Sequence, residues 1–187
     1  HDWTWLDAVE GKKLNYALLQ RMGFDTDKNW RDPLLKRTLT WGEVGCFLSH
    51  YMLWEECADS EEPILVLEDD AILKEVPEDE WLQTDLTYLT WKEMMPNGVK
   101  DNYVCYPYWT AAYIISPHAA KVFLDSDVDQ NIIPVDEFMP RMTDRVSMTS
   151  LDKASQMSRK DVGTDVEPRG HTSFVRDFTV HNLTCHD

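Results

Sequence analysis

The sequence has no apolar run near the ~18 residues needed to cross a bilayer, and residues 1–20 lack a signal-peptide pattern. No membrane span is expected. Basic residues are scarce, 18 against 34 acidic ones, and the resulting net charge of −16 argues against nucleic acid or an anionic membrane as the main partner. An anionic substrate would need a metal to mediate its binding. The four cysteines, Cys46, Cys57, Cys105 and Cys185, contain no C-x-x-C pair, so no zinc site is expected. Cys46 and Cys57 fall on one predicted helix about 16 Å apart, too far for a mutual disulfide, which leaves buried free thiols as the default. No D-x-D-x-D-G loop is present, which argues against an EF-hand, and there is no internal repeat or low-complexity tract. One glycosylation sequon, Asn182-Leu-Thr184, would be usable only in a secretory compartment.

What is present is a chain of 187 residues, the length of one domain with a real core. Hydrophobic residues make up 43%, with eight Trp and seven Tyr, so the chain folds despite its charge. The chemistry centres on Pro63-Ile-Leu-Val-Leu-Glu-Asp-Asp70, an apolar run that ends in three carboxylates. Four aliphatic residues without polar alternation predict a strand buried on both faces, as in the middle of a parallel sheet, and ligands of open α/β sheets bind beyond the carboxyl ends of such strands. Side-chain alternation would put Glu68 and Asp70 on one side, able to grip one cation, with Asp69 on the other. The alternative is that the three acids simply begin a solvated loop. The acidic stretch Glu75-Val-Pro-Glu-Asp-Glu80 reads as an exposed loop.

Residues 3–9 read as a short strand turned by Glu10-Gly11, followed by a helix over 12–22 that Gly23 closes. Thr40-Trp-Gly-Glu43 has the form of a capping box for a helix to about residue 58. Val44, Phe47, Leu48, Tyr51, Trp54 and Ala58 form its apolar stripe, with Cys46, Ser49, His50, Leu53 and Cys57 on a second. His50 is then either a hydrogen-bonded structural histidine or part of a site. Residues 85–90 and 110–115 read as strands, and Ser116-Pro117 starts a helix through about 125. Aromatics at 103–109 would either stack on a sugar or fill the core. Asp136 and Glu137 interrupt an apolar stretch. Such a pair carries a desolvation cost that raises its pKa and suits a general base, although a helix N-terminus would also explain it. Beyond Arg141 the pattern weakens, with possible strands at 161–166 and 173–180.

These blocks together resemble glycosyltransferase family 25, which includes bacterial lipopolysaccharide galactosyltransferases and procollagen hydroxylysine galactosyltransferases. The resemblance rests on Gly42-Glu-Val-Gly-Cys-Phe-Leu-Ser-His50 with Trp54 and on Leu67-Glu-Asp-Asp70. Asp7-Ala-Val-Glu-Gly11 is similar to the family's A-V-D-G turn. Arg31-Asp-Pro33, Tyr108-Trp-Thr-Ala-Ala-Tyr-Ile-Ile-Ser116 and Pro134-Val-Asp-Glu-Phe-Met-Pro140 are similar to blocks of the collagen-modifying branch.

The resemblance implies an α/β fold of GT-A type, a mixed, mostly parallel sheet flanked by helices, forming a single catalytic domain over 1–187 whose part from 141 onward is poorly defined. It implies a metal-dependent inverting transfer of a hexose from a UDP-sugar to a hydroxyl of a glycan or of hydroxylysine. Mn²⁺ or another divalent cation would be held by Glu68 and Asp70, with Asp69 beside the nucleotide or sugar. Asp136 would be the base with Glu137 in reserve. Glu43, Ser49 and His50 would line the donor side, and Tyr108, Trp109 and Thr110 the sugar or acceptor side. His171, after Val166-Glu-Pro168, would add a metal ligand, with His181 the fallback. Nothing like the family's opening apolar strand and arginine-rich turn precedes His1, which implies a fragment or an incomplete nucleotide site. A catalytically degenerate carbohydrate-binding or adhesion module is the competing reading. The compartment would be the endoplasmic reticulum lumen for a collagen-modifying type and the cytoplasm for a bacterial or viral one.

Overall fold

The computed structural model describes residues 4–32, 35–75, 77–93, 99–100, 103–104, 107–157 and 174–176. Helices α1 (Tyr16–Arg21) and α2 (Trp41–Asp59) precede strands β1 (Ile64–Leu67), β2 (Ala71–Leu73) and β3 (Leu86–Tyr88). Short strands β4 (Lys92–Glu93), β5 (Val99–Lys100), β6 (Tyr103–Val104) and β7 (Pro107–Tyr108) lead to β8 (Ala112–Ile115) and α3 (Pro117–Leu124). Then come α4 (Val135–Phe138), β9 (Met148–Ser150), β10 (Ala154–Gln156) and β11 (Phe174–Arg176). Among the described residues no helix is long and apolar enough to cross a membrane.

The result is a mixed α/β architecture around a five-stranded sheet ordered β11-β1-β8-β3-β9. As expected, β1 lies inside the sheet and is buried on both faces. Ile64 and Val66 join Leu86, Tyr88, Tyr113 and Ile115 in the larger core, while Leu65 joins Ala112, Ile114, Leu89 and Trp81 in the smaller one. The sheet is not mostly parallel, however. Strand β1 is antiparallel to β8 and β11, β8 is antiparallel to β3, and only β3 and β9 run parallel. An unbroken apolar run reports burial on two faces, and that is the same whichever way the neighbouring strands run.

Helix α2 forms where its capping box predicts. Thr40 Oγ1 accepts the Glu43 N–H at 3.2 Å, and Glu43 Oε2 accepts the Thr40 N–H at 2.8 Å. Both of its predicted stripes face the core: Ser49 and His50 are buried, and only Tyr51 and Cys46 are partly so. Phe47, Trp54, Phe123 and Phe138 pack edge to face at 5.1–6.1 Å, locking α2 against α3 and α4.

The expected strand near the N-terminus is absent among its described residues, 4–9. That segment crosses α2 instead of meeting a sheet edge, and the Val9 N–H is satisfied by Ser49 Oγ at 2.9 Å. Two glycines permit the crossing: a Cβ on Gly45 would lie 2.4 Å from the Val9 carbonyl oxygen, and one on Gly11 2.2 Å from that of Trp41. The helix expected over 12–22 is also shorter, because residues 11–13 take a 3₁₀ turn and Asn15 then caps α1 by accepting the Leu18 N–H at 3.0 Å. The possible strand at 161–166 lies outside the described residues, while part of 173–180 forms β11.

Candidate functional site

Strand β1 stops at Leu67, and the chain turns at once, with the Ala71 N–H bonded to Glu68 O at 3.0 Å. The three acids therefore sit in a turn, and this turn, not strand alternation, sets their relation. Glu68 is partly buried and its Oε1 is held from two sides. His50 Nε2 lies 3.3 Å away, and the Thr110 hydroxyl donates at 2.8 Å. Burial pushes the Glu68 pKa up, but the His50 ring and the Thr110 hydroxyl more than offset it, leaving the carboxyl below its usual range.

Thr110 also reaches the short helix α4, its Oγ1 being 3.1 Å from Asp136 Oδ1. A hydroxyl has one proton to give. With that proton directed at Glu68, the close approach of Asp136 is attractive when Asp136 is itself protonated and donates to Thr110 Oγ1. Burial first and the Glu68 charge second raise the Asp136 pKa to about 7, against a lowering by the Thr110 hydroxyl. Residues 68, 110 and 136, from three separate segments, thus meet at one threonine oxygen.

His50 is oriented by residues that the sequence did not single out as site residues. Its Nδ1 lies 2.8 Å from the Tyr113 hydroxyl, whose oxygen accepts the Trp54 indole N–H at 3.2 Å. Asp70 sits across the turn with Oδ2 accepting from Gln156 Nε2 at 2.8 Å, while its Oδ1 is buried with no hydrogen-bond partner. Burial, then the charge of Glu68, raises the Asp70 pKa to about 6, with Asp69 adding to the rise. Tyr113 lies 63 positions from His50 and Gln156 lies 86 from Asp70, so no local spacing signals either contact.

Other candidate residues make scaffold contacts. Glu43 is clasped by Arg37, Nη1 at 2.7 Å and Nη2 at 2.8 Å, besides its role in the capping box. Ser49 Oγ accepts from Val9 and donates to Gly45 O at 2.8 Å. Glu137 is buried and pairs with Arg141 at 3.6 Å. Tyr108 lies near Asp136 and Glu137, and burial together with their charges pushes its pKa up. Trp109 next to it holds φ at 98°, a left-handed conformation that costs a bulky side chain roughly 1–3 kcal/mol and that immediately precedes Thr110. His171 and His181 lie outside the described residues.

The model of glycosyltransferase family 25 (LPS biosynthesis protein) matches residues 1–95. The chain belongs to this family. Among its relatives, the probable inactive glycosyltransferase 25 family member 3 of Rattus norvegicus is 40% identical over 159 residues, covering 75% of this chain and 28% of that protein. Procollagen galactosyltransferase 1-A of Xenopus laevis is 34% identical over 188 residues, 89% of this chain and 30% of its own length. Procollagen galactosyltransferase 2 of Homo sapiens is 36% identical over 157 residues, 73% and 25% respectively. The chain thus spans less than a third of the length of these family 25 relatives.

Proposed function

We propose that this chain carries the transfer centre of a metal-dependent, inverting glycosyltransferase of GT-A type, moving a hexose, galactose by the names of its relatives, from a UDP-sugar to a hydroxyl of a glycan or of hydroxylysine. The observation that carries the reading is the meeting of Glu68, Thr110 and Asp136 beside Asp70, whose buried Oδ1 lacks any partner. An orphaned carboxylate oxygen among other acids fits a hard, oxygen-seeking cation. Glu68 and Asp70 would hold it, with Gln156 keeping Asp70 in place. Bound there, Mn²⁺ would supply Lewis acidity to neutralise the charge building on the departing UDP.

Asp136 takes the proton of the acceptor hydroxyl. A carboxyl with a pKa of about 7 is both ionised in good part near neutrality and basic enough to accept a proton. Thr110 fixes its position, and His50 steadies Glu68 from the opposite side. The expected result is Mn²⁺-dependent hydrolysis or transfer of UDP-galactose that disappears in Asp70→Ala. An active Asp70→Ala protein would refute the metal assignment.

A second reading, a carbohydrate-binding module without catalysis, is favoured by one observation: relatives 40% identical to this chain bear the name inactive. Calorimetry with UDP and Mn²⁺ separates the two readings. A degenerate module binds glycan but shows no metal-dependent nucleotide binding.

A further inference from the structure

Cys46 and His50 lie one turn apart on α2, and the end of β1 brings Glu68 to them. A thiol sulfur, an imidazole nitrogen and a carboxylate oxygen all lie within 4.8 Å of one another. This spacing of four along a helix places both side chains on one face, as in helical metal-binding pairs. The chemistry differs from that at Asp70, since sulfur, nitrogen and one oxygen are the ligand set of zinc, while a hard cation prefers oxygen alone. We propose that Cys46, His50 and Glu68 form a three-ligand site for a thiophilic divalent cation of the Zn²⁺ class, leaving a fourth position open.

The surroundings suit this role. His50 is 2% exposed and its Nδ1 faces the Tyr113 hydroxyl, itself held by Trp54. A metal-binding imidazole needs such an outer partner to fix the ring and take the proton of its other nitrogen. Without the metal, the His50 Nε2–H donates to Glu68. On binding, the cation takes that proton's place and the imidazole changes tautomer, its one proton leaving Nε2 and returning on Nδ1, which then donates to the Tyr113 oxygen, while the Cys46 thiol releases its proton to solvent. Cys57, on the same helix, marks the contrast. Its thiol donates to Ile115 O at 3.4 Å, burial raises its pKa to about 11, and no histidine or carboxylate accompanies it in a metal-ligating group among the described residues. The absence of C-x-x-C argued against zinc, but a helix and a strand end can supply the ligands that no single motif contains.

Glu68 is common to this site and to the cation proposed at Asp70, so the test is run without Mn²⁺ and reads the sulfur ligand, which the transferase reading does not use. That test is titration of the metal-free chain with Co²⁺, whose thiolate complexes give a near-ultraviolet charge-transfer band and, when tetrahedral, visible bands. One equivalent should develop the band, and Zn²⁺ should bleach it. Cys46→Ser should abolish the band, His50→Gln should weaken binding at least about 10-fold, and Asp70→Ala should leave the band intact. No band in the wild-type chain, or one that survives Cys46→Ser because metal sits on Cys105 or Cys185, would overturn the proposal. A measurement on the unmutated chain guards against a misfolded variant: Zn²⁺ should slow alkylation of Cys46, mapped by mass spectrometry. Unchanged alkylation of Cys46 at saturating Zn²⁺ also overturns it.

Discussion

Replacing Asp136 by Asn should make the metal-free protein more stable at alkaline pH while removing its proposed base. The carboxyl ionises near 3.8 in an unfolded chain and at about 7 in the folded one, because burial and the Glu68 charge oppose its ionisation. Between those values the unfolded chain gives up its proton first, so rising pH favours unfolding. Stability from this group is complete below the unfolded pKa and is lost as pH climbs through about 7. A rise of about three pH units corresponds to about 4 kcal/mol at about 1.4 kcal/mol each. Partial exposure of the side chain reduces this to about 2–3 kcal/mol. Asn has similar size and can donate to Thr110 Oγ1 as the protonated acid does. Urea unfolding with a chelator present should therefore show Asp136→Asn about 2–3 kcal/mol more stable than wild type at about pH 8 and nearly equal to it only at about pH 3, below the unfolded pKa. An effect of the same size at both pH values, or a less stable variant at the higher one, would refute the assignment of a buried, charge-coupled carboxyl.

Asp85 has the opposite sign: burial raises its pKa, but Ser147 and Ser116 lower it further, to a net value below normal. Its stabilisation is present above the unfolded pKa and lost as pH falls through the folded one, so Asp85→Asn should cost about 1–2 kcal/mol near neutrality and converge with wild type in acid melts. Thr40→Ala removes half of the α2 capping box and should lower stability by about 1 kcal/mol in urea titrations, with unchanged slope. Gly45→Ala pushes a methyl toward the Val9 carbonyl and should cost about 1–3 kcal/mol, together with faster hydrogen exchange at the Val9 amide.

How much could be read in advance differs by element. The start of α2 was legible because its cap closes within four residues, and the start of α3 because Ser116 accepts the Ala119 N–H one turn on. The strand ending at Leu67 was legible from its apolar run. The segment before Gly11 was not, because its extended form answers to the side of α2, where Ser49 and Gly45 receive it. At the site, Glu68, Asp70 and Asp136 stood out as acids beside apolar stretches. Gln156, which holds Asp70, and Tyr113, which orients the histidine beside Glu68, looked like ordinary strand or loop residues.

The amino-acid order alone determined that α2 and α3 would coil and that β1 would extend, since those preferences are decided by hydrogen bonds and side-chain spacing within a few residues. Tertiary structure alone decided that β1 has antiparallel neighbours on both sides and that Thr110 stands between Glu68 and Asp136. It also decided that the Asp136 pKa rises to about 7, because burial and the charge of Glu68, brought in from the end of β1, oppose its ionisation as the proposed base requires.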